Sequence, residues 1–124
     1  MYRLTRRLKF DAAHLIPNHP GKCARLHGHT YFVDVELAGP DLDELGILVD
    51  FGTIKDVCEP LLPDHQYLND VLPHVPSTAE GLSKYFFTVF REKLPLLTAV
   101  TVHEGPNSWC RFEGPPAASG VASA

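Results

Sequence analysis

The chain has 124 residues and a mass of 13.7 kDa, with 44% hydrophobic residues, 21% charged residues and a mean hydropathy of −0.07. That is the size and composition of one soluble globular domain, neither disordered nor membrane-embedded. The 11 Lys+Arg and 15 Asp+Glu leave a net charge of −4, without the basic excess of a dedicated nucleic-acid binder.

The even positions Tyr2, Leu4, Leu8, Phe10 and Ala12 lead to His14 at period two, broken by Arg6, and predict a β-strand with one buried face. The basic cluster Arg3, Arg6, Arg7 and Lys9 is not followed by the apolar run of a signal peptide. No stretch is apolar enough to span a bilayer, so a cytoplasmic location is expected. Residues 16–21 hold two prolines and a glycine and read as a loop. From His27 the odd positions His27, His29, Tyr31, Val33, Val35 and Leu37 define a second strand, ended by Gly39-Pro40-Asp41.

Asp50 is a candidate N-cap for a helix carrying Phe51, Ile54, Val57/Cys58 and Leu61, with Pro60 bending or ending it. Residues 63–69 read as a loop or short turn. Ser77-x-x-Glu80 has capping-box spacing and opens a second helix, whose stripe is Leu82, Tyr85, Phe86, Val89, Phe90 and Leu94, stopped by Pro95. Leu97–Glu104 alternates as a strand with Val100, Val102 and Glu104 on one face, and residues 109–113 suggest a short final strand. Residues 1–113 are expected to form one domain. The Gly/Pro/Ala/Ser/Val tail, 114–124, is expected to be disordered. The element order is ββααββ, an α+β fold with helices over one face of an antiparallel sheet.

Cys23, Cys58 and Cys110 cannot all pair within one chain, which fits a reducing compartment. Seven histidines in 124 residues are the anomaly. In Cys23-Ala-Arg-Leu-His27-Gly-His29 the two histidines project from one face of a strand, and His14 ends the neighbouring strand on its apolar face. Three imidazoles from two strands make a metal site with an open fourth position. Zinc is favoured, with iron, cobalt and nickel as other occupants of the same ligands. Cys23 is either a fourth ligand, closing a structural site, or a thiolate acid/base beside the ion and the charges of Lys22 or Arg25. Asp64-His65 has the composition of a carboxylate–imidazole dyad, although adjacent side chains seldom bond each other well. Glu104 is either a strand-end charge or a buried carboxylate suited to an amino-pyrimidinone edge. His19, His74 and His103 belong to no motif and are expected in surface or loop roles.

His14, Cys23-x-x-x-His27-Gly-His29, Ile47-Leu48-Val49-Asp50-Phe51-x-x-Ile54-Lys55, Asp64-His65-x-x-Leu68-Asn69, Pro76-Ser77-Thr78-Ala79-Glu80 and Glu104 occur in that order. Over roughly residues 3–113 the chain thereby resembles the 6-pyruvoyl-tetrahydropterin synthase/6-carboxytetrahydropterin synthase family. The resemblance implies a tunnelling fold (T-fold): a four-stranded antiparallel sheet with two helices, assembling into trimeric barrels stacked as a homohexamer. It implies zinc on His14, His27 and His29, Cys23 as catalytic acid/base, and Asp64 and His65 as a second proton-transfer pair reaching a neighbouring subunit's pocket. Glu104 would anchor the pterin, with Thr78 helping.

Three residues separate Cys23 from His27-Gly-His29, the spacing of the 6-carboxy branch. The 6-pyruvoyl enzymes usually have about five, and a folate-type branch carries glutamate at the cysteine position. The implied reaction converts 7,8-dihydroneopterin triphosphate into 6-carboxy-5,6,7,8-tetrahydropterin, acetaldehyde and triphosphate, a step towards queuosine. The alternatives are a 6-pyruvoyl activity, or a non-catalytic zinc module with Cys23 as the fourth ligand.

Overall fold

The structure, a computed structural model, describes residues 1–115. Two long strands, β1 (Tyr2–His14) and β2 (His27–Gly39), form an antiparallel hairpin in which His14 lies opposite His27 and Tyr2 opposite Gly39. Helix α1 (Phe51–Cys58) follows, then the two-residue β3 (Gln66–Tyr67), the one-turn α2 (Leu68–Val71) and the longer α3 (Ala79–Arg91). Strands β4 (Leu97–Glu104) and β5 (Trp109–Glu113) complete the sheet in the order β3-β1-β2-β4-β5. Four strands run antiparallel as expected; β3 adds to them, parallel to β1.

The period-two pattern becomes a core because the register aligns it. Leu8 pairs with Val33 and Phe10 with Tyr31, while Val33 and Val35 meet Val102 and Val100 of β4. These side chains are buried, as are Ile54 and Cys58 of α1 and Leu82, Phe86, Phe87 and Phe90 of α3. Phe10 stacks on Tyr31 at 4.8 Å and meets Phe86 edge-on at 5.8 Å. Burial pushes the Cys58 thiol up to about 12, so it behaves as a small apolar group. Cys23, Cys58 and Cys110 are all free thiols.

The local expectations need amendment at several points. Asp50 does cap α1, accepting from Gly52 N–H at 2.7 Å. The cap of α3 is Thr78, whose Oγ1 accepts from Gly81 N–H, rather than Ser77, whose hydroxyl donates to Leu15 O. Helix α3 ends at Arg91, short of Pro95; Leu94 stays buried through a turn in which its N–H bonds Phe90 O. Phe87 lies outside the expected stripe but is buried, because β5 brings Phe112 to 5.2 Å of its ring. The stretch expected as a loop holds β3 and the start of α2, because His65 N–H donates to Asp11 O and Leu68 is fully buried. Within the expected tail, Gly114 N–H donates to Thr98 O; residues 116–124 lie outside the described residues.

On the opposite face of the sheet, Arg7 makes a two-pronged pair with Asp34 at 2.6 and 2.9 Å. His103 is drawn in too: it bonds Asp34 Oδ2 at 2.9 Å and its ring lies 5.3 Å from that of Trp109. It is therefore a sheet residue with a partner, 13% exposed, rather than a surface histidine. Burial alone would raise the Asp34 carboxyl, but the hydrogen bonds from Arg7 and His103 outweigh it and hold it below the usual carboxylate range. A depressed native pKa contributes stability that is complete above the unfolded value, near 4, and is lost as pH falls through the native value. Asp34→Asn is expected to cost on the order of 1.5 kcal/mol at pH 7. That difference from wild type should shrink below about pH 4 in parallel denaturant melts; a pH-independent difference would refute the charged pair as its source.

Candidate metal centre

The hairpin register creates the centre. Even positions of β1 and odd positions of β2 share the core face, so His14, His27 and His29 converge where the two strands leave the core. Their ring centroids lie 4.5 Å (His14–His27), 5.0 Å (His14–His29) and 4.8 Å (His27–His29) apart. One ring nitrogen from each falls within 4.8 Å of the others. Gly28, between two of the histidines, leaves the neighbouring Ala12 carbonyl clear: a Cβ there would stand 3.4 Å from it.

Backbone carbonyls orient two of the rings. His14 Nδ1–H donates to Ser77 O at 2.6 Å and His27 Nδ1–H to Arg25 O at 2.7 Å, which turns both Nε2 lone pairs to the cluster. His14 is 1% exposed, and its Nε2 is buried without a hydrogen-bond partner. Burial first, then the neighbouring imidazoles, lowers the His14 pKa against the Ser77 bond, and burial likewise lowers that of His29. Two rings fixed by backbone carbonyls at Nδ1, with the buried His14 Nε2 lone pair lacking any donor, present the acceptor atoms that a divalent cation requires. The residues present fit such an ion.

Glu104 belongs to the same place. It ends β4 opposite Tyr31, and its Oε2, also buried without a partner, lies 3.8 Å from His14 Nε2. Burial raises its carboxyl above the usual range, Glu80 adds to the shift and His27 opposes it. Tyr31 is not singled out by spacing, since it reads as one more apolar position of β2. Its hydroxyl is nevertheless buried and unpartnered, and burial followed by the Glu104 charge raises its pKa. A carboxylate, a phenol and three imidazoles gathered together, with three of their polar atoms buried and unpartnered, suit a polar ligand rather than apolar packing.

Cys23 lies in a 3₁₀ turn (Lys22–Ala24), partly buried, with its backbone carbonyl accepting from Ile16 N–H. Its sulfur is outside the group of mutually close ligand atoms, which holds the three histidines alone. Thr78 caps α3 next to Ser77. Asp64 and His65 form a second group with Asp11 at the β1 edge. Against the expectation for neighbours in sequence, they bond each other at 2.9 Å, because His65 takes a positive φ of 57° that folds its ring back onto Asp64. The Asp11 N–H and the His65 ring hold the Asp64 carboxyl low, and Asp64 raises the His65 imidazole. His65 and His29 both line a cleft of about 630 Å³ with Asp11, Ala13, Gly28 and Thr30, which belong to the sheet face opposite the core; His14 and His27 are not part of its wall.

The family profile described as 6-pyruvoyl tetrahydropterin synthase matches residues 3–115. The chain belongs to that family. It is 36% identical to the 6-carboxy-5,6,7,8-tetrahydropterin synthase of Synechocystis sp., over 93% of this chain and 95% of that one. To the enzyme of the same name from Bacillus subtilis it is 33% identical, over 90% and 84%. The solved Caenorhabditis elegans 6-pyruvoyl tetrahydropterin synthase superposes with a TM-score of 0.81 at 25% identity, covering 92% of this chain and 96% of that one. The fold is thus the T-fold, in a family of pterin-processing enzymes. Among the described residues no helix is long and apolar enough to cross a membrane.

Proposed function

We propose that this chain is a zinc-dependent 6-carboxy-5,6,7,8-tetrahydropterin synthase, a carbon–carbon lyase acting on 7,8-dihydroneopterin triphosphate. The observation that supports it most is the three-histidine cluster with an unpartnered buried Nε2 beside an unpartnered carboxylate oxygen of Glu104. The names of the relatives matched over most of their length favour the 6-carboxy product over the 6-pyruvoyl one. The three-residue spacing before His27-Gly-His29 agrees.

Zinc held by His14, His27 and His29 would supply Lewis acidity towards the hydroxyls of the substrate side chain. Glu104 accepts two parallel N–H bonds from the amino-pyrimidinone edge and so sets the distance from pterin ring to metal, with Thr78 at the neighbouring helix start. Cys23 takes and returns protons at the side-chain carbons. His65, raised by Asp64, is protonated over more of the neutral range than a free imidazole and donates to the departing groups. Its side chain is 77% exposed, which supports service across a subunit interface in a homohexamer of two stacked trimers. The product would feed queuosine synthesis in the cytoplasm.

Incubation with 7,8-dihydroneopterin triphosphate should release acetaldehyde and give the mass of 6-carboxytetrahydropterin, with turnover abolished by a chelator and restored by zinc. A product retaining the full side chain as 6-pyruvoyltetrahydropterin would reassign the branch. No turnover in a zinc-loaded chain would sink the enzyme reading.

A further inference from the structure

The end of β1 is held by a device outside the roles given above. Strand β3 pairs with β1 only at Ala12–Gln66 and Ala13–Tyr67, so the ladder stops before His14. Where a further rung would lie, the carboxamide of Asn69 in α2 replaces it. Its Oδ1 accepts from Leu15 N–H and its Nδ2 donates to Leu15 O, both at 3.0 Å. Ser77 Oγ donates to the same carbonyl at 3.1 Å, while Ser77 O takes the His14 Nδ1–H. The loop bearing Ser77 has little room to move towards α3, because even a Cβ on Gly81 would collide with Pro76 O.

We infer that Asn69 is a positioning residue for the cluster. By pairing both backbone groups of Leu15 it holds the preceding residue, His14, where the Ser77 carbonyl selects its Nδ1–H tautomer and leaves Nε2 as the free lone pair. The hydrogen bonds on Leu15 and the one on the adjacent ring all come from Asn69 and Ser77. A shift of Leu15 therefore moves donor and acceptor of the His14–Ser77 bond relative to each other. The inference rests on the metal-site reading for its consequence, but not for the tautomer itself.

The test compares wild type with Asn69→Ala and Asn69→Asp, all full length. Aspartate keeps the size and the acceptor but not the donor, and it serves if the alanine variant does not fold. Nitrogen NMR of histidine-labelled, metal-free protein reads the His14 tautomer. Competition with a chromophoric chelator reads zinc affinity, and thermal melts report stability separately. Wild type should show a single Nδ1–H tautomer. Asn69→Ala should show a mixture of tautomers and a zinc affinity lower by roughly 10–100-fold, with Asn69→Asp between the two. Wild-type tautomer and affinity in both variants, whatever their melting temperatures, would overturn the inference and leave Asn69 a clip for the loop. A wild-type chain that binds no zinc would overturn the metal reading alone, with the tautomer measurement still deciding the role of Asn69.

Discussion

Replacing Cys23 with alanine should leave the metal bound and the fold intact, yet lower turnover of 7,8-dihydroneopterin triphosphate by roughly 10²–10⁴-fold, the usual contribution of a positioned acid/base group. The separation of effects follows from the geometry. The sulfur stands apart from the three clustered ligand atoms, so its removal takes no donor from the metal. The backbone at this position is held independently, through Cys23 O and Ile16 N–H at 2.8 Å, so the turn should survive the substitution. Zinc stoichiometry and a melting curve should therefore match wild type while product formation collapses. Parallel loss of zinc affinity and stability would instead establish Cys23 as a fourth ligand in a closed structural site, and the enzyme reading would lose its proton carrier. Unchanged turnover would remove Cys23 from the chemistry altogether.

His29→Ala should lower metal affinity by more than the roughly 10–100-fold that loss of an outer-shell partner costs, and bring activity to background at ordinary zinc concentrations. His29 is the informative position among the three. His14 is 1% exposed and bonds the Ser77 carbonyl, so its removal would open a buried hole as well as delete a ligand. His29 is only partly buried, and its loss leaves the Phe10–Tyr31 stack beneath the site. His74→Ala, at a loop position outside either ligand group, is the matched control and should bind zinc as wild type does. Full zinc occupancy in His29→Ala would refute the three-histidine centre.

Strand positions were legible because the alternation of β1 and β2 carries an unambiguous period, and a hairpin in register leaves one face for every apolar residue. That same alternation put His27 and His29 on one face and nominated His14 as their partner. The stretch 63–71 was not legible as structure. Strand β3 and helix α2 are too short to show a period, and their stability comes from contacts with β1 and Leu15 through Asp64, His65 and Asn69. The Thr78 cap is not legible for a related reason. Ser77 and Thr78 are both good caps in isolation, and only the demand of Leu15 O for the Ser77 hydroxyl decides between them. His103 looked idle because its partners, Arg7-bound Asp34 and Trp109, belong to other strands.

The sequence by itself determined the strand faces, the histidine triad as candidate ligands, the Asp50 cap and, through ordered motifs, the family. These are properties of short spacings, where a period of two or a fixed offset already defines which side chains share a face. Only the tertiary structure decided that Glu104 and the Tyr31 hydroxyl border the triad, that the Cys23 sulfur stands outside it, and that Asn69 and Ser77 hold His14 in its tautomer. The bonds behind that last arrangement join residues 54 and 63 positions apart in the chain. Meetings of that kind form only when the sheet and helices have packed, and no local pattern encodes them.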